Sequence, residues 1–280
     1  MNKKTALDFV MNNTSTTISI REAKVLLCYI LDISINQLEL LNEVDIKDFK
    51  QLSRIIKRYN LGEPINKILG FTYFFGHRFE VNNGVLTPRF DTEYLVDAVI
   101  QKLKSTNKRN NILDLCTGSG CIATTIKNEL PVHRVVASDI SAKALKLARK
   151  NAYKNNVFIH WQHSDMFKNI NEKFDIIVSN PPYIKSQEIN KLDKEVKLFD
   201  PLISLDGGID GLDFYKEIFN KIDKYLQIDG TLFLEIGYDQ TQDVCSIACQ
   251  KFNVIKVLKD LSGNDRIIIA SSMKGVYDDR

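Results

Sequence analysis

Apolar residues recur three or four positions apart over the first quarter of the chain, then give way to short apolar runs divided by turn residues. Ala23, Leu26, Leu27, Ile30 and Leu31 form one stripe, the spacing of a single face of an amphipathic helix. Ser19-Ile20-Arg21-Glu22 in front of it has the form of a capping box, with Ser19 as the cap and Glu22 returning to it. A second stripe, Ile46, Phe49, Leu52, Ile55, Ile56 and Tyr59, predicts a helix that starts at Asp45 and ends at Leu61-Gly62. The two stripes should pack on each other, so residues 1–70 read as a small helical domain. Ile68 to Phe75 is aromatic and suits a strand. With turn signals at Gly76 and Asn83-Gly84, a β-hairpin is expected to fill a linker over 71–86.

From residue 87 onward the pattern alternates. Thr87-Pro88-Arg89-Phe90-Asp91-Thr92-Glu93 leads into a helix with Leu95, Val96, Val99, Ile100 and Leu103 inside. Asp91 or Thr92 suits its N-cap, which leaves Pro88-Arg89 unexplained. Strands are expected over 111–115, 134–138, 157–161, 174–178, 231–236, 254–258 and 266–270, and helices over 120–129, 141–155, 214–225 and 240–251. Such alternation predicts an α/β fold, a doubly wound and mostly parallel sheet with helices on both faces. The charged stretch 185–212, with Asp200-Pro201 and Gly207-Gly208, is too long for a plain connector and is expected to serve the site.

Candidate chemistry gathers at the strand ends. Phe174 to Val178 is an apolar run followed by Ser179-Asn180-Pro181-Pro182-Tyr183. Two prolines cannot supply ladder donors, so the strand stops there in a stiff turn, at the edge where open α/β sheets hold ligands. Asn180 carries an amide carbonyl and an NH2, and the proline after it holds it extended. With the Pro181 carbonyl and the Tyr183 ring, it suits a planar group bearing an NH2. Upstream, Ile112 to Leu115 is followed by Cys116-Thr117-Gly118-Ser119-Gly120 and a helix, a turn that lets backbone approach a ligand. The spacing is neither a dinucleotide fingerprint nor a phosphate-binding loop. Asp139 ends the second strand, where a carboxylate can accept both hydroxyls of a ribose. Ser164-Asp165-Met166-Phe167 follows the third, where an adenine would fall. Asp114 has two readings, holding the glycine turn or meeting an amino group of the ligand.

Composition narrows the class. The net charge of +3, from 38 basic and 35 acidic residues, is too balanced for binding nucleic acid mainly by charge. No apolar run approaches the roughly 18 residues of a membrane span, and Met1 to Val10 has no signal-type apolar core. Five cysteines without a CxxC pair point to free thiols in a reducing cytoplasm. His160 and His163 sit on or beside a strand without partners in a ligand pattern, so no metal is expected.

A glycine turn, an acid at the second strand tip, Asp165 after the third and Asn-Pro-Pro-Tyr after the fourth together resemble class I S-adenosylmethionine-dependent methyltransferases. Asn-Pro-Pro-Tyr turns of that class serve exocyclic amines of nucleobases as well as glutamine amides. The further combination of the helical first part, the Phe71 to Phe75 hairpin, Thr87 to Glu93 and Gly263-Asn264-Asp265-Arg266 resembles the peptide-chain release factor glutamine methyltransferases over nearly the whole chain. That resemblance implies a seven-stranded sheet over 87–280 and S-adenosyl-L-methionine as cofactor. Its substrate would be the Gly-Gly-Gln glutamine of class I release factors, methylated on the side-chain nitrogen by a monomeric enzyme without direct nucleic-acid contact. It places the cofactor at Cys116, Thr117, Gly118, Ser119, Gly120, Asp139, Asp165, Met166 and Asn180, and the substrate at Asn180, Pro181, Pro182 and Tyr183, with Asn180 catalytic. It leaves Arg89 without a role. Cys116 stands where the family often has glycine and Met166 where an aromatic residue is common, which implies altered cofactor affinity. The alternative is a nucleic-acid exocyclic-amine methyltransferase of the N6-adenine type.

Overall fold

The computed structural model describes residues 2–14, 18–106 and 108–274; Met1 and 275–280, at the ends of the expected domains, lie outside them. The chain divides into two compact units, Met1–Phe71 with Asp193–Phe199, and Thr72–Leu192 with Asp200–Arg280.

The first unit is helical: α1 (Lys3–Asn12), α2 (Ile20–Leu31), α3 (Ile35–Leu40), α4 (Phe49–Asn60) and α5 (Ile65–Leu69). The Ser19–Glu22 capping box starts α2, with both reciprocal bonds made. The same device recurs at Ser34 and Gln37 and starts α3, a helix too short to show a stripe in the sequence. α4 begins four residues later than its stripe predicts. Asp48 accepts from the Gln51 N–H at 2.8 Å, and this cap sets the start, while Ile46 is buried as part of the preceding loop. Ile68 and Leu69, expected in a strand, close α5 instead. Gly70 at φ 77° supplies the left-handed C-cap, and both side chains join Leu26, Leu27, Leu38, Leu52 and Ile55 in the helical core.

The second unit starts with a hairpin, β1 (Phe71–Phe74) and β2 (His77–Glu80). Its turn is Phe75-Gly76, with φ of 51° and 77°, the positive pair that a two-residue hairpin turn requires. A phenylalanine tolerates this because its backbone N–H donates to Glu93 Oε1 at 2.7 Å. Then follow α6 (Asp91–Lys104), β3 (Asn111–Leu115), α7 (Cys121–Glu129), β4 (Arg134–Asp139), α8 (Ala142–Lys154), β5 (His160–His163) and β6 (Phe174–Ser179). After α9 (Lys194–Phe199), which groups with the first unit, come α10 (Asp213–Tyr225), β7 (Leu226–Glu235), α11 (Thr241–Ala248), β8 (Phe252–Lys259) and β9 (Asp265–Met273). β5 lies three residues later than the apolar run 157–161 suggests, because its ladder with β4 pairs Val136 with His160 and Asp139 with His163.

Seven strands form one sheet in the order β5-β4-β3-β6-β7-β9-β8, parallel except that β9 runs against both neighbours. Leu113, Leu115 and Ile177 pack with Tyr215, Phe219 and Phe252 in one core. Ile112, Ile176 and Val178 pack with Leu95, Val99 and Ile126 in another. The strands turn outward both ways from β3 and β6, so the chain's direction of winding reverses between them. The carboxyl ends of parallel strands at such a reversal form a ready crevice.

Candidate functional site

That crevice is walled by the residues that leave β3, β4, β5 and β6. Its lining includes Cys116, Thr117, Gly118 and Ser119 from the first turn, Asp139 and Ile140 from the second, and Asp165 and Met166 from the third. Asn180 and Pro182 close it from the fourth, with Val85, Thr87 to Arg89, Thr92, Pro201, Ile203, Ser204 and Phe214 over the rim. The space between these atoms, open to solvent, is about 1070 Å³.

Asp114 organises the glycine turn. It is wholly buried, and its Oδ2 accepts from Thr117 Oγ1 at 2.5 Å and from the Ala123 N–H at 3.1 Å. Of its two readings the structure favours the turn-holder. Burial pushes its pKa up to about 7, against these two bonds. Asp139 is held on both sides: Oδ2 accepts from the Gly118 N–H and Oδ1 from the Ser141 N–H, each at 2.8 Å. Burial raises its pKa too, and the backbone donors oppose the rise.

Not every residue expected at the site reaches the crevice wall. Gly120 stands behind it. A Cβ there would lie 2.8 Å from Ala148 Cβ, so this glycine lets α7 approach α8. Pro181 is buried, and Tyr183 lines a different cavity with Lys185, Glu188, Tyr238, Asp239 and Arg266. Burial raises the Tyr183 pKa. The turn is held from that side, since the Tyr183 carbonyl accepts from Gln240 Nε2 at 2.9 Å.

The structure also brings in residues that the sequence reading placed elsewhere or passed over. Thr92 does not cap α6, whose N-cap, Phe90, makes no side-chain bond. The Thr92 hydroxyl donates to Glu235 Oε2 at 2.7 Å and accepts from Asn180 Nδ2 at 3.1 Å. Asp91 pairs instead with Arg266 at 3.4 Å, and Arg266 also meets Asp260 at 3.0 Å, which ties Gly263-Asn264-Asp265-Arg266 to the start of α6. Glu235 left one signal in the sequence, a carboxylate that directly follows the apolar run Leu232-Phe233-Leu234. It is 2% exposed, and burial pushes its pKa up to about 7 against donors from Thr92 and Asn180. Arg89 Nη2 donates to the buried Asp200 at 2.8 Å, which pins the long loop where Pro201, Ile203 and Ser204 line the rim.

Comparison with known proteins gives the family. The family model described as the methyltransferase small domain matches residues 91–197. A release factor glutamine methyltransferase from Thermodesulfovibrio yellowstonii is 42% identical over 92% of this chain and 94% of its own length. The chain belongs to the release factor glutamine methyltransferase family. A bifunctional methyltransferase from Rickettsia felis is 38% identical over 93% of this chain, which spans only 56% of that protein. Among solved structures, a methyltransferase from Pyrococcus furiosus superposes with a TM-score of 0.52 at 18% identity, over 72% of this chain and 91% of that one. The fold is thus that of class I S-adenosylmethionine-dependent methyltransferases.

Cys116 and Met166, which the resemblance in the sequence singled out, form one feature in the structure. Both have positive φ, 63° and 44°, a conformation in which glycine is the least strained residue. Their sulfur atoms lie 3.7 Å apart. Burial raises the Cys116 pKa, so the sulfur acts as an apolar wall atom.

Proposed function

We propose that the chain transfers a methyl group from S-adenosyl-L-methionine to the side-chain amide nitrogen of the Gly-Gly-Gln glutamine in class I release factors. The cofactor reading is supported by the chemistry of the crevice. Leu115, Ile140 and Met166 offer apolar surface to a purine. Asp139 retains lone pairs beyond its two backbone bonds for adjacent hydroxyls. Gly118, at φ 55°, leaves space where a Cβ would meet nothing within 4 Å, so backbone can approach the ligand. Cys116 through Ser119, Asp139, Asp165, Met166 and Asn180 would hold the cofactor, which when bound supplies an electrophilic sulfonium methyl.

The observation that carries the reading is Asn180. Its NH2 faces Thr92, so its Oδ1 is the end left for the crevice. An amide nitrogen is a weak nucleophile, and positioning is what the protein can contribute. Asn180 Oδ1 would accept a hydrogen of the glutamine amide, which orients the nitrogen and favours the positive charge that grows on it. Pro182 would wall the same pocket. Tyr183 would brace the turn from behind and not stack on the amide. No side-chain base is needed, since an N-methylated amide cation gives up its proton to water.

The helical unit would recognise the release factor. One glutamine carries too little information to select a protein, so specificity needs surface beyond the pocket. Among the described residues no helix is long and apolar enough to cross a membrane, and no group of three or more side chains forms a metal-ligand cluster. The test is incubation with labelled S-adenosylmethionine and either release factor or ribosomal RNA, followed by mass spectrometry. One added methyl on the loop glutamine is expected; label in RNA alone would overturn the reading.

A further inference from the structure

The chain Glu235–Thr92–Asn180 crosses three elements, the end of β7, the first turn of α6 and the tip of β6; Thr92 and Asn180 line the crevice and Glu235 stands behind them. We infer that Glu235, acting on the Asn180 amide directly and through the Thr92 hydroxyl, is the positioning residue that sets which way round that amide faces. The inference deepens the proposed glutamine chemistry and rests on that reading for its catalytic consequence, though not for its geometry.

The argument is one of donors and acceptors. A carboxylate only accepts, so Glu235 Oε2 takes the single hydroxyl proton of Thr92, at 2.7 Å. The Thr92 oxygen then has only lone pairs left to offer. Its second neighbour must be a donor, and Asn180 Nδ2 fills that place at 3.1 Å. Asn180 Oδ1 is thereby turned to the crevice, the polarity required to accept from a substrate NH2. A protonated Glu235 reverses the logic. It can donate to Thr92, Thr92 can donate to Asn180 Oδ1, and the amide can rotate to present its NH2 to a substrate that is itself a donor. An amide in a crevice has no intrinsic preference between these two faces, so the buried carboxylate decides.

The surroundings of Glu235 suit this role. Its backbone carbonyl accepts from Tyr215 Oη at 2.8 Å, which fixes the end of β7. The charged and titratable groups that face it are Arg266 from β9, Asp91 from α6, Tyr183 after β6, Tyr215 from α10 and Cys121 from α7. Arg266 is the one cation of this set, and its guanidinium bonds Asp260 and Asp91. Burial dominates and pushes the Glu235 pKa up to about 7, so the carboxylate form that the relay needs is gained as pH rises through that value.

The experiment has two arms on the full chain. In the first, the Asn180 side-chain amide signal is followed by 15N NMR without cofactor or substrate, assigned by its loss in Asn180→Asp. It should shift with a midpoint near pH 7 in the wild type, and the shift should vanish in Glu235→Gln and shrink in Thr92→Val. In the second, kcat on release factor at pH 8 should fall in both variants by roughly 10-fold or more with KM unchanged. Thr92→Ser, which restores the hydroxyl, should recover most of what Thr92→Val loses. Should Glu235→Gln fail to fold, the Thr92 pair carries the test. An Asn180 signal indifferent to pH and to both variants would overturn the inference, as would a Thr92→Ser enzyme as slow as Thr92→Val. A wild type that does not methylate release factor would sink the substrate reading instead, and the NMR arm would still decide the relay.

Discussion

Two buried carboxylates frame the site, and they do different work. Asp114 holds the glycine turn with Oδ2, while its Oδ1 is buried with no hydrogen-bond partner among the described residues. A neutral carboxyl suits that environment better than a charged one. The folded-state pKa, about 7, lies above the ordinary value near 4. The stability this group contributes is therefore complete below about pH 4 and is lost as pH rises to about 7, on the order of 4 kcal/mol. Asp114→Asn keeps an acceptor for Thr117 and Ala123 without the charge. It should melt several degrees above the wild type at pH 8 and close to it at pH 4; equal melting curves at pH 8 would remove the desolvation argument. Asn180 is the opposite case, a side chain whose loss should spare the fold. Asn180→Ala should keep its melting temperature and lose turnover by roughly 10²-fold, by comparison with the loss of one oxyanion donor. Asn180→Asp should be nearly as slow, because the Thr92 proton is already given to Glu235 and a second carboxylate would face bare lone pairs. Near-normal turnover in both variants would take Asn180 out of the chemistry.

The turn after β6 is rigid for reasons that reach past its own prolines. The segment 184–207 returns to it as a short parallel bridge. The Ile184 N–H donates to the Leu205 carbonyl at 2.9 Å, and the Gly207 N–H donates to the Ile184 carbonyl at 2.8 Å. Gly207 is required by closeness, since a Cβ there would lie 2.7 Å from Tyr183 Cα. Gly207→Ala must push the turn or the loop aside. It should cost about 1–3 kcal/mol of stability and lower turnover as well, read by thermal melting and by kcat on release factor. An alanine enzyme with wild-type turnover would show that the loop is only a connector. The Arg89–Asp200 pair anchors the far side of the same loop, which gives Pro88-Arg89 the purpose that the N-cap reading of its neighbours left open.

At the scale of the whole molecule the sheet supplies the crevice and the helical unit the recognition proposed above. A chain beginning at Thr72 retains both apolar layers of the sheet. It should bind cofactor but methylate intact release factor far more slowly than the full chain does. Equal rates on intact release factor would end the recognition role. What the sequence determined by itself was whatever depends on neighbours along the chain. Apolar runs alternating with helical stripes imply parallel strands, and parallel strands place their carboxyl ends on one side, so Cys116, Asp139, Asp165 and Asn180 could be read as one site. The Ser19 cap and the Gly118 turn are local for the same reason. Tertiary structure alone decided the rest. Thr92 lies 88 residues from Asn180 and 143 from Glu235, and Cys116 lies 50 from Met166. No periodicity spans such separations. Thr92 reads as a helix cap until β7 places a carboxylate beside its hydroxyl, and Tyr183 reads as a substrate residue until two prolines and the returning loop turn it into a second cavity.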